Sequence, residues 1–267
     1  MAMFRVQNFS DAERDIYGFF TEWTGSRGDW NLEAGVRYNR IDMNSDTVSA
    51  NGMMPMMQMT ANQLANNFNN ANRDQNFDNI DIVFKASRPL NDTTDMNVGL
   101  GRKTRAPSYQ ELYLWLPMQS TGGLTGGRTY IGNLDLDSET NHEITFGLDW
   151  HEGKFYANGQ IFFRKVDDFI QGTPSTNMTA NMLSTMMSGQ APLQFNNIDA
   201  ELYGLDGRYG MVLNDNWRLD GVLSYVRGED KVGHDNLYRV APLNNRLTLT
   251  WAQDKLSANL ESVLYAS

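Results

Sequence analysis

Methionine is the residue this chain uses out of proportion. Of 15 methionines in 267 residues, Met53, Met54, Met56, Met57 and Met59 crowd one stretch, Met178, Met182, Met186 and Met187 crowd a second, and Met43 and Met118 lie beside or between them. A thioether is a soft, neutral ligand that suits Cu(I) better than harder ions. The usual work of methionine is to fill irregular gaps in a core, but both stretches fall in segments with the character of exposed loops, which have no core to fill. Spacing adds to the case. A helix over Asn177–Ser188 would line Met178, Met182 and Met186 along one face, and Met53 and Met57 share the same four-residue offset. Two such faces brought together could offer two or three sulfurs to one ion. The competing readings are that these side chains pack the loops against each other or against a plug domain, or that they make a soft apolar surface for an organic ligand. A short echo links the two stretches: Met59-Thr60-Ala61-Asn62 recurs as Met178-Thr179-Ala180-Asn181.

Other chemistry is sparse. His234, in a late loop, and His142, near one end of a strand, could bind Cu(II) through imidazole, although a lone loop histidine is more often simply solvated. His151 lies at a tight turn. No histidine stands clearly beside a serine nucleophile, so no triad is expected. Gly122-Gly123 and Gly126-Gly127 lack the Lys-Ser/Thr of a phosphate loop, and no zinc-hydrolase spacing occurs. The chain contains no cysteine, which removes disulfides, zinc–thiolate sites and thiol nucleophiles. A net charge of -10 argues against nucleic acid as a partner. Asp135, Asp137, Glu139, Glu229, Asp230 and Asp235 give two loops negative charge that could concentrate cations, or merely keep the loops soluble. An enzyme is not expected.

The elements that must carry these residues show a regular alternation. Tight turns at Gly25–Gly28, Pro89–Thr94, Glu152–Lys154, Asn214–Asn216 and Gln253–Lys255 interleave with long connections at Met43–Phe77, Ala106–Asp137, Gly172–Phe195 and Gly228–Ala241. Between them run segments in which apolar and polar residues alternate, as in Ile144, Phe146, Leu148 and Trp150 against Glu143, Thr145 and Asp149. Asp15–Trp23 alternates less cleanly, and Ile198–Met211 shifts phase near Tyr203, where a bulge is expected. Trp23, Trp30, Trp150, Trp217 and Trp251 all lie within three residues of a tight turn, as an interfacial girdle would. No run of about 18 apolar residues occurs, so no transmembrane helix is expected. The pattern predicts an all-β, antiparallel, up-and-down transmembrane β-barrel, of which about ten strands are present, with short periplasmic turns and long external loops. A soluble sandwich would also alternate, but would place its tryptophans mid-strand.

Several stretches resemble the barrel of TonB-dependent outer-membrane receptors. Thr104-Arg105-Ala106-Pro107-Ser108-Tyr109-Gln110-Glu111-Leu112-Tyr113 is similar to the family's R-A-P-S-x-x-E-L-Y segment, the most specific of the matches. Tyr17–Glu22 with Leu32–Tyr38, Gly132–Thr140 and Asn197–Gly204 resemble three further stretches, in the family's order. The resemblance implies a 22-stranded barrel, about twice the strands read here, closed by an N-terminal plug and energised through the TonB complex in a Gram-negative outer membrane. No plug or TonB box is seen, and Met1–Arg5 has no signal-peptide character. Residues 1–267 are therefore expected to be a partial receptor barrel, an internal fragment without its plug and C-terminal strands, which would not transport on its own. With Met-rich loops the chain looks like the copper receptors of the family. Copper would be the transported ligand, held by Met53, Met54, Met56, Met57, Met59, Met178, Met182, Met186, Met187 and His234, with outer-membrane lipid and TonB as partners and no organic cofactor. A siderophore or other nutrient receptor is the alternative, and a passive porin the more remote one.

Overall fold

A computed structural model describes residues 5–118, 128–233, 235–238 and 240–266. Ten strands follow one another as antiparallel neighbours: β2 (Glu13–Arg27), β3 (Trp30–Asn44), β5 (Gln75–Asn91), β6 (Thr94–Arg105), β8 (Glu139–Glu152), β9 (Phe155–Pro174), β10 (Leu193–Val212), β11 (Trp217–Asp230), β12 (Asn244–Gln253) and β13 (Leu256–Tyr265). The sheet is open: β2 and β13 are its two outer strands and do not pair with each other. Short strands β1 (Arg5–Val6) and β4 (Ala50–Asn51) pair with one another, and β7 (Tyr130–Ile131) runs parallel to the start of β10. Among the described residues three helices, α1 (Pro55–Asn70), α2 (Tyr109–Tyr113) and α3 (Met178–Ser188), lie in the long connections. Among the described residues no helix is long and apolar enough to cross a membrane, which says nothing of strands.

All five tight turns and all four long connections fall where the alternation puts them. The β2–β3, β8–β9 and β12–β13 hairpins turn through two residues, the first of which, Gly28, Gly153 or Asp254, has positive φ (60°, 58° and 52°). Such mirror-image turns match the right-handed twist of the flanking strands. Most of the strands reach 14 to 20 residues, beyond the roughly 9–11 needed to cross a bilayer at a tilt. Their loop ends therefore rise clear of the apolar zone.

The two faces of the sheet separate cleanly. One row of cross-strand neighbours runs Ala34, Phe84, Leu100, Ile144, Phe163, and its large members are exposed. Trp23, Trp150 and Trp217 are exposed on the same face and Trp30 and Trp251 half-buried, with Trp217 directly opposite Trp251. None is swallowed between stacked layers. The other face carries Glu33, Lys85, Thr145 and Asn158, which line a polar concavity. Exposed apolar rows with an aromatic girdle at the turn end, backed by a charged concave face, suit lipid on one side and water on the other.

Two expectations need adjustment. The irregular phase of β2 has a local cause: Phe19 faces lipid opposite Tyr38, while Phe20 faces the lumen opposite Arg37, whose guanidinium lies over its ring at 5.7 Å. This exposed aromatic on the polar face is thus a cation–π partner. The bulge lies away from Tyr203. The β9–β10 register shifts between Ile198 and Ala200, where Asp167 and Asp168 of β9 oppose Asp199, and Asp168 carries the positive φ of 59°.

Candidate functional site: the methionine-bearing loops

The long loops are not free of a core. Ile41, Met43, Phe77 and Ile170, on the upper strands, are buried together with Thr60-side residues Ala61, Leu64, Ala65 and Phe68 of α1, Leu112 and Tyr113 of α2, and Ala180 and Leu183 of α3. Ile41 and Phe77 share the lumen-facing side of β3 and β5 with Arg37 and Asp81, so the loops fold inward over the barrel mouth. The premise that loop methionines have nothing to pack against is corrected accordingly: Met43 is buried, and Met53, Met57, Met118, Met186 and Met187 pack against this cluster.

The amphipathic faces of the helices decide which sulfurs stay in water. In α1, Thr60, Ala61, Leu64, Ala65 and Phe68 form the buried stripe, which turns Met57 inward and Met56 and Met59 outward. In α3, Ala180, Leu183 and Ser184 are buried, so Met187 turns inward and Met186 sits on the flank. Met54, Met56, Met59, Met178 and Met182 remain 66, 63, 66, 79 and 47% exposed. α1 and α3 pack against each other. The repeated Met-Thr-Ala-Asn occupies the same helical phase in both, with Met59 and Met178 outside and Ala61 and Ala180 fully buried. The helix expected over Asn177–Ser188 is present as α3. α1 was not anticipated, and Met53 precedes it, so the Met53/Met57 pair is not a helical face. His234 lies outside the described residues. His142 is half-exposed on the outer face of β8, away from both helices. Among the described residues no group of three His, Asp or Glu side chains is placed to hold an ion.

Local chemistry fixes these helices. The Asn177 side chain accepts from the Ala180 N–H at 3.0 Å, and Gly189, with φ 77°, ends α3. α1 opens on Pro55 at its first turn, and the Arg73 guanidinium donates to the Phe68 and Asn69 carbonyls at its end, satisfying groups the helix leaves orphaned. Tyr113, fully buried, donates its hydroxyl to the Arg73 carbonyl at 3.0 Å and meets Phe68 edge to face. Burial, then the nearby Asp74 carboxylate, pushes that hydroxyl up to about 12.

A second knot ties the loops to the strands. Arg105 bridges Glu111 at 2.9 Å and Glu139 at 2.6 Å, and Glu139 also accepts from the Ile170 N–H at 2.8 Å. Glu111 closes the capping box of α2 with Ser108. Asn197 exchanges hydrogen bonds with the backbone of Asp137 and also donates to the Asp168 carbonyl. At Gly132 an added Cβ would sit 2.6 Å from the Leu112 carbonyl, so only glycine admits this approach. Arg105, Glu111 and Asn197 were visible in the sequence only as matches to a family pattern, and Glu139 as such a match and as loop charge. Their shared task, holding the second long loop against β8, β9 and β10, appears only in three dimensions.

The TonB-dependent receptor-like β-barrel model matches residues 2–267. The chain belongs to the TonB-dependent receptor β-barrel family. Its setting is the outer membrane of a Gram-negative bacterium. No curated protein matches the chain by sequence. Among solved structures, the receptor barrel is similar to the copper transporter OprC, with 23% identity, a TM-score of 0.69, and coverage of 93% of this chain and 35% of that one. It is also similar to the siderophore receptor PirA from Pseudomonas aeruginosa, with 18% identity, a TM-score of 0.59, and coverage of 96% and 49%. The FrpB iron transporter from Neisseria meningitidis (F3-3 variant) shares 13% identity at a TM-score of 0.59, with coverage of 95% and 33%. At these identities the likeness establishes the fold. The receptor barrel spans about a third to a half of the length of these structures.

Proposed function

We propose that this chain is part of the barrel of a TonB-dependent receptor that takes up copper, the further strands and the plug belonging to a longer protein. The surface methionines of the α1 and α3 loops capture the ion, the loops close over it, and a TonB-driven rearrangement of the plug passes it inward. The barrel itself makes and breaks no covalent bond. One observation carries this reading: Met54, Met56, Met59, Met178 and Met182 stay in water on and beside two helices that pack together. An exposed methionine gives up its burial free energy, roughly 1.5–3 kcal/mol for a large apolar side chain, so five of them need a cause other than packing within this chain. Soft thioether ligation of Cu(I) is such a cause. The solvent-facing five are then the ligand candidates. Met53, Met57, Met186 and Met187 are structural, and His234 is a separate donor for Cu(II).

Competition titration of the intact receptor with a Cu(I) chelator tests this. Replacing Met54, Met56, Met59, Met178 and Met182 with leucine should weaken Cu(I) binding at least about tenfold, which is about 1.4 kcal/mol. The same replacement at Met53, Met57, Met186 and Met187 should leave it nearly unchanged. Equal affinity in wild type and the surface-set variant would end the copper reading.

A second reading, uptake of a siderophore or other organic nutrient, draws on a different feature. A cleft of about 310 Å³ at loop level is lined by Tyr130, Phe169, Phe195 and Tyr238 with Gln110 and Gln171, a size and mix suited to a small organic molecule. Unchanged copper binding together with ferric-chelate binding sensitive to Phe169→Ala would favour it.

A further inference from the structure

The two segments that carry α1 and α3 are chemically narrow. Residues 47–72 and 169–198 contain no Asp, Glu, Lys, Arg or His, and no Cys, Tyr or Trp either. No side chain in them gains or loses a proton near neutral pH, so protonation cannot switch these segments from within. What remains is sulfur. Methionine is the one readily oxidised side chain they contain, and its two-electron product, the sulfoxide, can be reduced back.

Helix phase divides the nine methionines of these segments into two classes. Met54, Met56, Met59, Met178 and Met182 face water, the least accessible of them at 47%. Met53, Met57, Met186 and Met187 are partly buried and pack against the loop core. An oxidant dissolved in water meets the first class before the second. The consequences differ as well. A sulfoxide on the outward side keeps its oxygen in water, at no desolvation cost. A sulfoxide at Met57 or Met187 would press a polar oxygen against the apolar cluster, where an unpaired polar group costs stability. The stripes that hold the helices, Ala61, Leu64 and Phe68 on α1 with Ala180 and Leu183 on α3, contain nothing that a mild oxidant attacks.

The outward sulfurs are also paired. Met56 and Met59 stand three residues apart on α1, and Met178 and Met182 four apart on α3, so each pair shares a helix face. Losing one sulfur therefore removes a chelating partner as well as a ligand. The step balances with hydrogen peroxide as oxidant. A sulfur lone pair attacks one peroxide oxygen, the S–O bond forms as the O–O bond breaks, and sulfur gives up two electrons. The departing hydroxide takes the proton from the new hydroxyl and leaves as water. The product offers a hard oxygen where a soft sulfur stood, a poor match for Cu(I).

We propose that Met54, Met56, Met59, Met178 and Met182 form an oxidation-sensitive patch, in which hydrogen peroxide converts thioethers to sulfoxides and turns copper capture off while the loops stay folded. The loss of capture rests on the copper reading, whereas the order of oxidation rests on exposure alone.

Graded peroxide treatment of the intact receptor, followed by peptide mass mapping, reads that order. The outward five should be oxidised several-fold faster than Met53, Met57, Met186 and Met187. Competition titration of the same samples should show Cu(I) affinity falling at least about tenfold. It should recover after treatment with both sulfoxide reductases, one for each epimer. Limited proteolysis between β9 and β10 should be unchanged, which general oxidative damage would not allow. A variant with Met53, Met57, Met186 and Met187 replaced by leucine has no inward sulfur in these segments, and peroxide should weaken its copper binding as it does in wild type. Equal oxidation rates for the two classes, affinity retained by the oxidised receptor, loss that the reductases do not restore, or loss accompanied by faster cleavage would each overturn the proposal. A receptor that binds no Cu(I) before oxidation would overturn the copper reading and the switch with it, a result distinct from binding that survives the oxidant.

Discussion

Tyr113 has no exposed surface, and its hydroxyl is committed to the Arg73 carbonyl. That commitment makes it a reporter of loop closure. Burial first and the Asp74 charge second raise its pKa from 10.0 to about 12. The folded loops therefore bind this proton more tightly than the unfolded chain does. The sign follows: the contribution is complete below pH 10 and is lost as pH rises through 12. Its size is on the order of 2 kcal/mol. The difference between near-ultraviolet tyrosinate titrations of the intact receptor and its Tyr113→Phe variant should be a single transition near 12. A difference transition at the ordinary tyrosine value would mean that Tyr113 is open to water. The sequence offered no hint of this role, since Tyr113 stood in it only as the last letter of a family pattern. The methionines show the opposite limit. Their number was legible, but whether each sulfur faces water or core depends on helix phase, which a reading of the segment as loop cannot supply.

Helix phase was nonetheless written into both segments. Thr60, Ala61, Leu64, Ala65 and Phe68 recur at helical spacing, yet the Asn- and Gln-rich residues between them disguise α1 as a polar loop. α3 was read from the four-residue spacing of Met178, Met182 and Met186, and the structure adds the Asn177 cap and the Gly189 stop that bound it. Both helices cohere through their buried stripes rather than through their exposed methionines. Leu183→Ala removes a side chain with no exposed surface and should cost about 2–5 kcal/mol of local stability. Met182→Ala, 47% exposed one position away, should cost within about 0.5 kcal/mol. Limited proteolysis of the intact receptor between β9 and β10 measures this: cleavage should accelerate sharply in Leu183→Ala and hardly at all in Met182→Ala. Similar rates in the two variants would show that α3 is not held through its buried stripe.

At the scale of the whole molecule, period-two alternation and turn chemistry were enough to place all nine connections, because each strand pairs with the next and each faces two different solvents. The same property allows the two faces to be told apart by experiment. Phe146 and Thr145 are neighbours on β8 but opposite in direction. Phe146 pairs with Val98 and Ile161 on the exposed apolar side, whereas Thr145 lines the polar concavity. An arginine at position 146 must carry its charge into hydrocarbon, at about 2–4 kcal/mol near the bilayer midplane. At position 145 the same arginine meets water and the neighbouring Glu143, Glu33 and Asn158, and should cost no more than about 1 kcal/mol. Urea unfolding of the intact receptor in lipid vesicles, followed by the gel mobility of folded and unfolded protein, would compare Phe146→Arg with Thr145→Arg. A large loss for the first and a small one for the second is expected. The reverse order would place lipid on the charged face, and equal losses would mean that both faces meet the same medium, as the two inner faces of a soluble sandwich would. Equal losses would remove the membrane from the account, whereas the reverse order would keep it and exchange the two faces.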